Sequence, residues 1–407
     1  MPNETSNHDL EKKTFWQSLG PGIITAALVF GPGSLTINTK LGATYGYSLL
    51  WVLILAMVFM IAFTGMSTRI GLFGDRSLIQ QIKARFGKPV TVIIGLGVFL
   101  VTASFQAGNT VGASLAFSEL FSSPLVLWIS FFTVIAISLL FFGSFYKILE
   151  KLMIALVLVM LASFLLTIIM ASPNLLEIIK GVVPSIPTGS EFLIITLTAS
   201  SFSIVGAFYQ SYLVGEKKWT INQKQRSIRE STMGIVILGL LSTMVMLCAS
   251  AVLHVEGIVV KSASDLGLAL EPLFGAFTSN VFMIGFFAAS FSSMIGNATI
   301  GGVILADTFF SESRLNSMKV RPMVMLVIVI GAIVAYIFGA LPLQLIIFAQ
   351  GITVILVPLI ALILLYFANS KNLPKELMNS GAVNVIGVLG ILVLLFMSAY
   401  TIQYLLF

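Results

Sequence analysis

The stretch FGPGSLTINTK, residues 30 to 40, places a Gly-Pro-Gly sequence, a row of small polar side chains and a lysine inside the apolar run 20–42. Proline has no amide proton to give a helix, and glycine tolerates unusual backbone angles. The helix is therefore expected to unwind at Pro32 and Gly33, leaving peptide groups in need of partners. Irregular backbone persists at membrane depth only where it faces protein or a water-filled hollow. Two readings of such a break are open: a kink packed against neighbouring helices, or a substrate site flanked by half-helix ends.

The membrane setting follows from the rest of the chain. Its 407 residues are 58% hydrophobic and only 9% charged, against roughly 25% charged in soluble domains. Eleven apolar stretches, over 20–42, 47–72, 89–117, 124–144, 146–171, 190–214, 230–254, 277–308, 321–342, 343–368 and 382–407, punctuate the sequence. Each is long enough to cross roughly 30 Å of hydrocarbon as a helix. The expected architecture is an all-α polytopic membrane protein with one transmembrane domain over 20–407. The polar segment 1–19 reads as a cytoplasmic terminus, and the apolar run after it lacks the small-residue cleavage site of a removable signal peptide.

Basic residues mark the cytoplasmic loops of such proteins. With the amino terminus inside, the inner segments hold Lys12, Lys13, Arg69, Arg76, Lys83, Arg85, Lys88, Lys147, Lys151, Lys217, Lys218, Lys224, Arg226, Arg229, Arg314, Lys319, Arg321, Lys371 and Lys375, which is 19 of the 22 lysines and arginines. The outer loops keep Lys180 and Lys261, and Lys40 lies in the first span. A bacterial-type cytoplasmic membrane suits this pattern. Basic loops beside an anionic inner leaflet also account for the net charge of +6 without any nucleic-acid partner.

Other chemistry finds little support. The single Cys248 lies inside the seventh span, which excludes an intramolecular disulfide and argues against a metal cluster. His8 and His254 fall at membrane edges or outside, and form no catalytic dyad. Gly95 and Gly97 lack the strand-to-helix context of a nucleotide loop, so the pair reads as close helix packing. The sequon at Asn297 lies within a span, out of reach of glycosylation. Neither enzyme activity, nor ATP-driven transport, nor a cofactor is expected; the partners are the lipid bilayer and a small solute or ion.

An inverted-repeat transporter carries a second break five helices after the first. In the sixth span, TASSFSIVGAFYQS (198–211) puts Ser200, Ser201, Ser203, Gly206, Gln210 and Ser211 in an otherwise apolar run. Two broken helices, the first and the sixth, then head two five-helix repeats, 20–171 and 190–368, with 382–407 as an eleventh helix.

LGPGIITAALVFGPGSLTINTKLGATYGYSLLW (19–51) resembles the first helix of the Nramp divalent-metal transporters, of the amino acid, polyamine and organocation superfamily, without a gap. FFAASFSSMIGNATIGGVILADTFF (286–310) resembles the family's Ala-rich, Ser-Ser, Thr-Gly helix; Gln350 and Pro358 keep its tenth-helix spacing, and QSYLV (210–214) aligns in the sixth. The resemblance covers essentially the whole chain. It implies a LeuT-like fold of five-plus-five inverted repeats working by alternating access.

At the family's chemical positions this sequence departs. The Asp-Pro-Gly-Asn segment that binds metal in the family reads Gly31-Pro32-Gly33-Ser34 here, so both ligand side chains have changed. The sixth-helix methionine, a soft ligand that favours transition metals, aligns with Ser203, and the carbonyl-donating alanine with Ser200. The family's proton route falls on Thr36, Asn38, Gln106, Asn109 and Gln210, none of which titrates near neutral pH. The family implies metal-ion transport, with Gly31, Ser34, Ser200, Ser203 and Gln350 at the substrate site and Pro32, Gly33 and Gly206 at the helix breaks. The residues themselves say less.

All 16 acidic residues lie in loops or at helix ends, the nearest being Glu119, Glu150 and Asp307. A divalent ion stripped of water needs hard oxygen ligands and usually carboxylate charge. Hydroxyls and carbonyls alone hold a weakly bound or largely hydrated ion, which argues against high-affinity, proton-coupled uptake of manganese or iron. Lys40 reads either as snorkelling to the headgroups or as a counter-charge for an anion. A polar organic or anionic solute is therefore a second expectation, and a non-transporting sensor or scaffold a third. The metal, if any, and the oligomeric state stay open at this level.

Overall fold

Backbone in hydrocarbon must satisfy its own hydrogen bonds, and the segments of this chain do so as helices. The computed structural model describes residues 21–73, 76–141, 145–260, 265, 267, 270–271, 275–338 and 343–406; their side chains are described except at 21, 145–146, 199–201, 343–352, 354–355 and 404–406. Among the described residues there are fourteen α-helices, two short 3-10 turns and no strand. In chain order they are α1 (Pro21–Val29), α2 (Pro32–Tyr45), α3 (Leu50–Gly71), α4 (Leu78–Phe121), α5 (Leu125–Leu139), α6 (Phe145–Ala171), α7 (Leu175–Gly181), α8 (Glu191–Ser201), α9 (Ile204–Glu216), α10 (Lys224–Val252), α11 (Ala276–Phe310), α12 (Val320–Phe338), α13 (Leu343–Ala368) and α14 (Gly381–Leu406).

Seven of these are long and apolar enough to cross a membrane, or eight when α1 and α2 count as one span bent by 66°. α5, at 15 residues, falls short of that length. So do α8 and α9 taken singly, at 11 and 13 residues. A wide lipid-facing belt accompanies them: Leu100, Val134, Ile337 and Phe396 are each more exposed than buried, as apolar side chains are when the surrounding solvent is hydrocarbon.

Both expected interruptions are present, and each has a local cause. The first falls at Phe30 and Gly31, one step ahead of the Pro32–Gly33 pair. Pro32 is the first residue of α2, where its missing amide proton would have had no helical partner. Gly33 lies within α2, and Gly31 has extended backbone (φ −115°, ψ −174°) that any residue adopts. Gly31 answers to close packing, since a Cβ there would lie 2.7 Å from the Ser293 hydroxyl and 2.8 Å from its Cβ. The second break falls at Phe202 and Ser203, where Ser203 caps α9 by accepting a bond from the Gly206 amide (3.3 Å).

The two broken helices pair crosswise. α1 packs on α9 and α2 on α8, so the first half of each lies beside the second half of the other. The flanking helices repeat the reciprocity: α10 lies along α1 and α2, while α3 lies along α8 and α9. α4 and α11 form the most extensive contact and back the crossing. α4 itself turns at Gly87 (φ 79°, ψ 177°), just ahead of Pro89, which separates the stub 78–86 from the membrane part of the helix.

Small residues set these distances. A Cβ at Gly234 would overlap the Gly22 carbonyl, and one at Gly22 the Glu230 carbonyl, so α1 and α10 touch backbone to backbone. Gly95 and Gly97 serve close packing too, against Thr308 and Leu356. Gly234→Ala is therefore expected to cost about 1–3 kcal/mol through overpacking. Gly108→Ala, with nothing within 4 Å, should be neutral or stabilising by up to about 1 kcal/mol, because glycine is a poor helix former. Thermal unfolding of the two purified variants in detergent checks the contrast, and equal melting temperatures would refute it.

Candidate substrate site between the helix breaks

The last carbonyls of a helix have no helical partners, and α1 ends in mid-bundle. Three of them are met by side chains of α11 and by the turn itself. The Ser292 hydroxyl donates to Ala27 O (3.0 Å), the Ser293 hydroxyl to Leu28 O (3.0 Å) and Ala27 O (3.3 Å), and the Gly31 amide to Val29 O (3.0 Å). The Ser-Ser pair of the eighth span thus stabilises the break, a role that reading along the chain did not assign to it.

Between the breaks lies a cavity of about 50 Å³, room for an ion and a few waters. Leu28, Val29, Gly31, Gly33 and Ser34 line it from the first broken helix, and Ser203, Ile204, Val205 and Gly206 from the second. α4 adds Val101, Phe105 and Asn109, α11 adds Ser293, Asn297 and Ile300, and α13 adds Thr353 and Val357. Its polar side chains are thus hydroxyls and carboxamides. Among the described residues no carboxylate, thiol, thioether or imidazole lines it, and no group of three or more His, Cys, Asp or Glu side chains is placed to hold a metal. The amino-terminal turns of α2 and α9 both border it, bringing partial positive charge.

Of the expected site residues, the structure brings Gly31, Gly33, Ser34, Asn109, Ser203 and Gly206 together at this cavity. The side chains of Ser200 and Gln350 lie outside the described residues. Pro32 is buried beside the cavity, against Gly112 of α4. Thr36 donates to Pro32 O (2.7 Å) and Asn38 to Ser34 O (2.8 Å), both within α2. Gln106 donates to Met294 O (2.9 Å), and Gln210 accepts from the Thr25 hydroxyl (2.6 Å). Asn109 donates to Ser293 O (3.2 Å). Among the described residues no hydrogen bond joins the side chains of any two of these five positions, where the resemblance leads one to expect the proton route. Lys40 is half-buried further along α2 and does not line the cavity.

Sequence reasoning did not place Ser293, Asn297, Thr353 or Phe105 at the site. The one available signal was polarity within an apolar helix, which Ser293, Asn297 and Thr353 share with many side chains that merely bond their own backbone, Thr102 and Thr299 among them.

Two interrupted helices crossing at a small polar cavity, inside a bundle with a lipid-facing apolar belt, define a membrane transport protein of the broken-helix class. The chain belongs to the Nramp family, the natural resistance-associated macrophage protein-like proteins, whose family model matches residues 22–404. It is 27% identical over 299 residues to the divalent metal cation transporter MntH of Chromohalobacter salexigens, covering 70% of this chain and 69% of that one. Against MntH of Erwinia tasmaniensis it is 25% identical over 409 residues, covering 96% and 94%. The crystal structure of a point mutant of the Eremococcus coleocola manganese transporter superposes with a TM-score of 0.76 at 20% identity, covering 97% of this chain and 88% of that one. Mhp1, a nucleobase-cation-symport-1 family transporter in a closed conformation, gives a TM-score of 0.62 at 14% identity over 95% and 92%. The fold is thus shared with LeuT-like transporters, and the relatives are transporters rather than enzymes.

Proposed function

We propose that the protein is a secondary transporter of hard cations, working by alternating access, that holds its cargo through neutral oxygen donors. In this reading eleven membrane helices form two inverted repeats, 20–171 and 190–368, followed by an eleventh helix, with the amino terminus cytoplasmic. The reciprocal packing of α1 with α9 and α2 with α8 supports the inverted repeat. Nineteen basic residues in the segments assigned to one side support the orientation.

The observation that carries the cargo reading is the lining of the cavity. Ser34, Ser203, Ser293 and Thr353 offer hydroxyls, and Asn109 and Asn297 offer amide oxygens. Such donors suit a hard cation that keeps part of its water shell, as magnesium does. With no sulfur or nitrogen donor among the described lining residues, nothing there prefers a transition metal, so the metal transport of the MntH relatives comes to this chain with altered selectivity. Thr36, Asn38, Gln106, Asn109 and Gln210 exchange no proton near neutral pH, so proton coupling does not run through them.

Reconstituted vesicles test this. Divalent uptake should saturate only at millimolar concentration, should discriminate little between magnesium and manganese, and should not acidify the lumen in proportion to flux. Saturable micromolar manganese binding abolished by Ser34→Ala or Ser203→Ala, or a stoichiometric proton flux, would overturn the reading. A sensor or scaffold would show no flux of any ion.

A small anion is the second reading, favoured by the two helix amino termini that border the cavity. Chloride or formate uptake, with no cation flux, would select it over the first. At about 50 Å³, room for a few waters, the cavity favours a small ion over a nucleobase in this conformation.

A further inference from the structure

We infer that the hollow between the stub of α4 and the end of α13 binds the phosphate headgroup of an anionic phospholipid. The hollow measures about 1160 Å³. Arg76, Arg85 and Lys371 line it, all three exposed, and no carboxylate does among the described residues. Its wall is apolar: Leu362 and Tyr366 are 47% and 40% exposed, and Leu365 and Phe367 lie beside them.

One of the cations is already positioned. The Arg85 Nε donates to the Tyr366 hydroxyl (2.6 Å), and the guanidinium carbon lies 5.7 Å from the centre of that ring. Its terminal nitrogens take no protein partner among the described residues, leaving a planar fork free, the geometry that suits a phosphate. The Gly87 turn is what sets the stub across this face, with Phe86 against Tyr366 and Phe367 (ring centroids 5.3 and 6.1 Å). Basic side chains above an apolar wall, at the bundle end that carries the basic connections, meet the negative leaflet surface. A free phosphate ion has no use for the apolar wall. A zwitterionic headgroup brings an ammonium that the three cations repel.

The test is native mass spectrometry of the full-length protein with dioleoyl phosphatidylglycerol, dioleoyl phosphatidylcholine or inorganic phosphate. The expected result is retention of phosphatidylglycerol alone, weakened about fivefold for each cation removed among Arg76→Gln, Arg85→Gln and Lys371→Gln. The exposed lysines Lys147, Lys151 and Lys319 give a control triple variant, which should retain the lipid like the unchanged protein. Equal loss in the control, or equal retention in the site variant, would overturn the site. Binding of inorganic phosphate with the same affinity would assign it to a soluble anion instead and overturn the lipid. If the site variant does not fold, a photoactivatable phosphatidylglycerol on the unchanged protein decides: labelling within 76–86 or 362–373 supports the proposal, and labelling only elsewhere refutes it.

Discussion

Manganese is expected to bind at micromolar concentration to a variant carrying Gly31→Asp, Ser34→Asn, Ser203→Met and Ser293→Gly, and not to the same variant with Ser293 intact. The first three changes return a carboxylate, an amide oxygen and a thioether to positions that all border the cavity. The carboxylate matters most, because its charge offsets dehydration of the ion. Opposite unit charges 4 Å apart are worth roughly 4 kcal/mol at an effective dielectric constant of about 20, so a gain of at least about a hundredfold is reasonable. Ser293 stands in the way. A Cβ at residue 31 would sit 2.7 and 2.8 Å from its Oγ and Cβ and 3.1 Å from Asn109 Oδ1, so Gly31→Asp alone must push α11 from the break. Glycine at 293 removes both close atoms, at about 1 kcal/mol of helix propensity and the hydroxyl bond to Leu28 O. Adding Lys40→Gln should change the affinity only modestly, since that side chain does not line the cavity. Calorimetry with manganese reads all of these. Equal binding by the three-residue variant would refute the crowding argument, and a folded four-residue variant blind to manganese would show that the breaks do not bring the new ligands together.

A second large effect is expected far from the cavity. Asp307, fully buried near the end of α11, accepts hydrogen bonds from Gln80 Nε2 (2.9 Å), the Tyr212 hydroxyl (2.8 Å) and the Ser77 hydroxyl. One side chain thus ties α4, α9 and α11 together. Asp307→Ala would leave the Tyr212 hydroxyl buried without its acceptor and open a void. Each lost bond to a charged group is worth about 1.5–3 kcal/mol; half-buried Ser77 and Gln80 can turn to water, so the Tyr212 bond and the void dominate and the total loss should reach about 3–5 kcal/mol. Asp307→Asn keeps the shape and one acceptor oxygen, and should cost about half as much. Unfolding in detergent monitored by tryptophan fluorescence measures both, and an Ala variant as stable as the parent would show that these bonds are not what holds the helix ends.

Asp307 also shows where reading along the chain stops. From the sequence it is an acid near a helix end, no different in kind from Glu119. Its burial depends on Ser77 and Tyr212, which lie 230 and 95 residues away. The five positions expected for the family's proton route divide in the same manner. Five polar side chains looked equivalent, yet packing turns only Asn109 into the cavity and leaves Thr36, Asn38, Gln106 and Gln210 bonded to backbone or to one neighbour.

Hydropathy, proline and side-chain chemistry are local properties, and they were enough to read the membrane class and the two interrupted helices. They could not say that the first break falls at Phe30–Gly31, that α11 comes within 2.8 Å of where a Cβ at residue 31 would stand, or that Ser293, Asn297 and Thr353 complete the cavity. Those facts depend on the distance and rotation between helices whose contacting residues lie more than 250 positions apart in the chain. Small residues that let backbones touch set that geometry, and neither segment contains it alone.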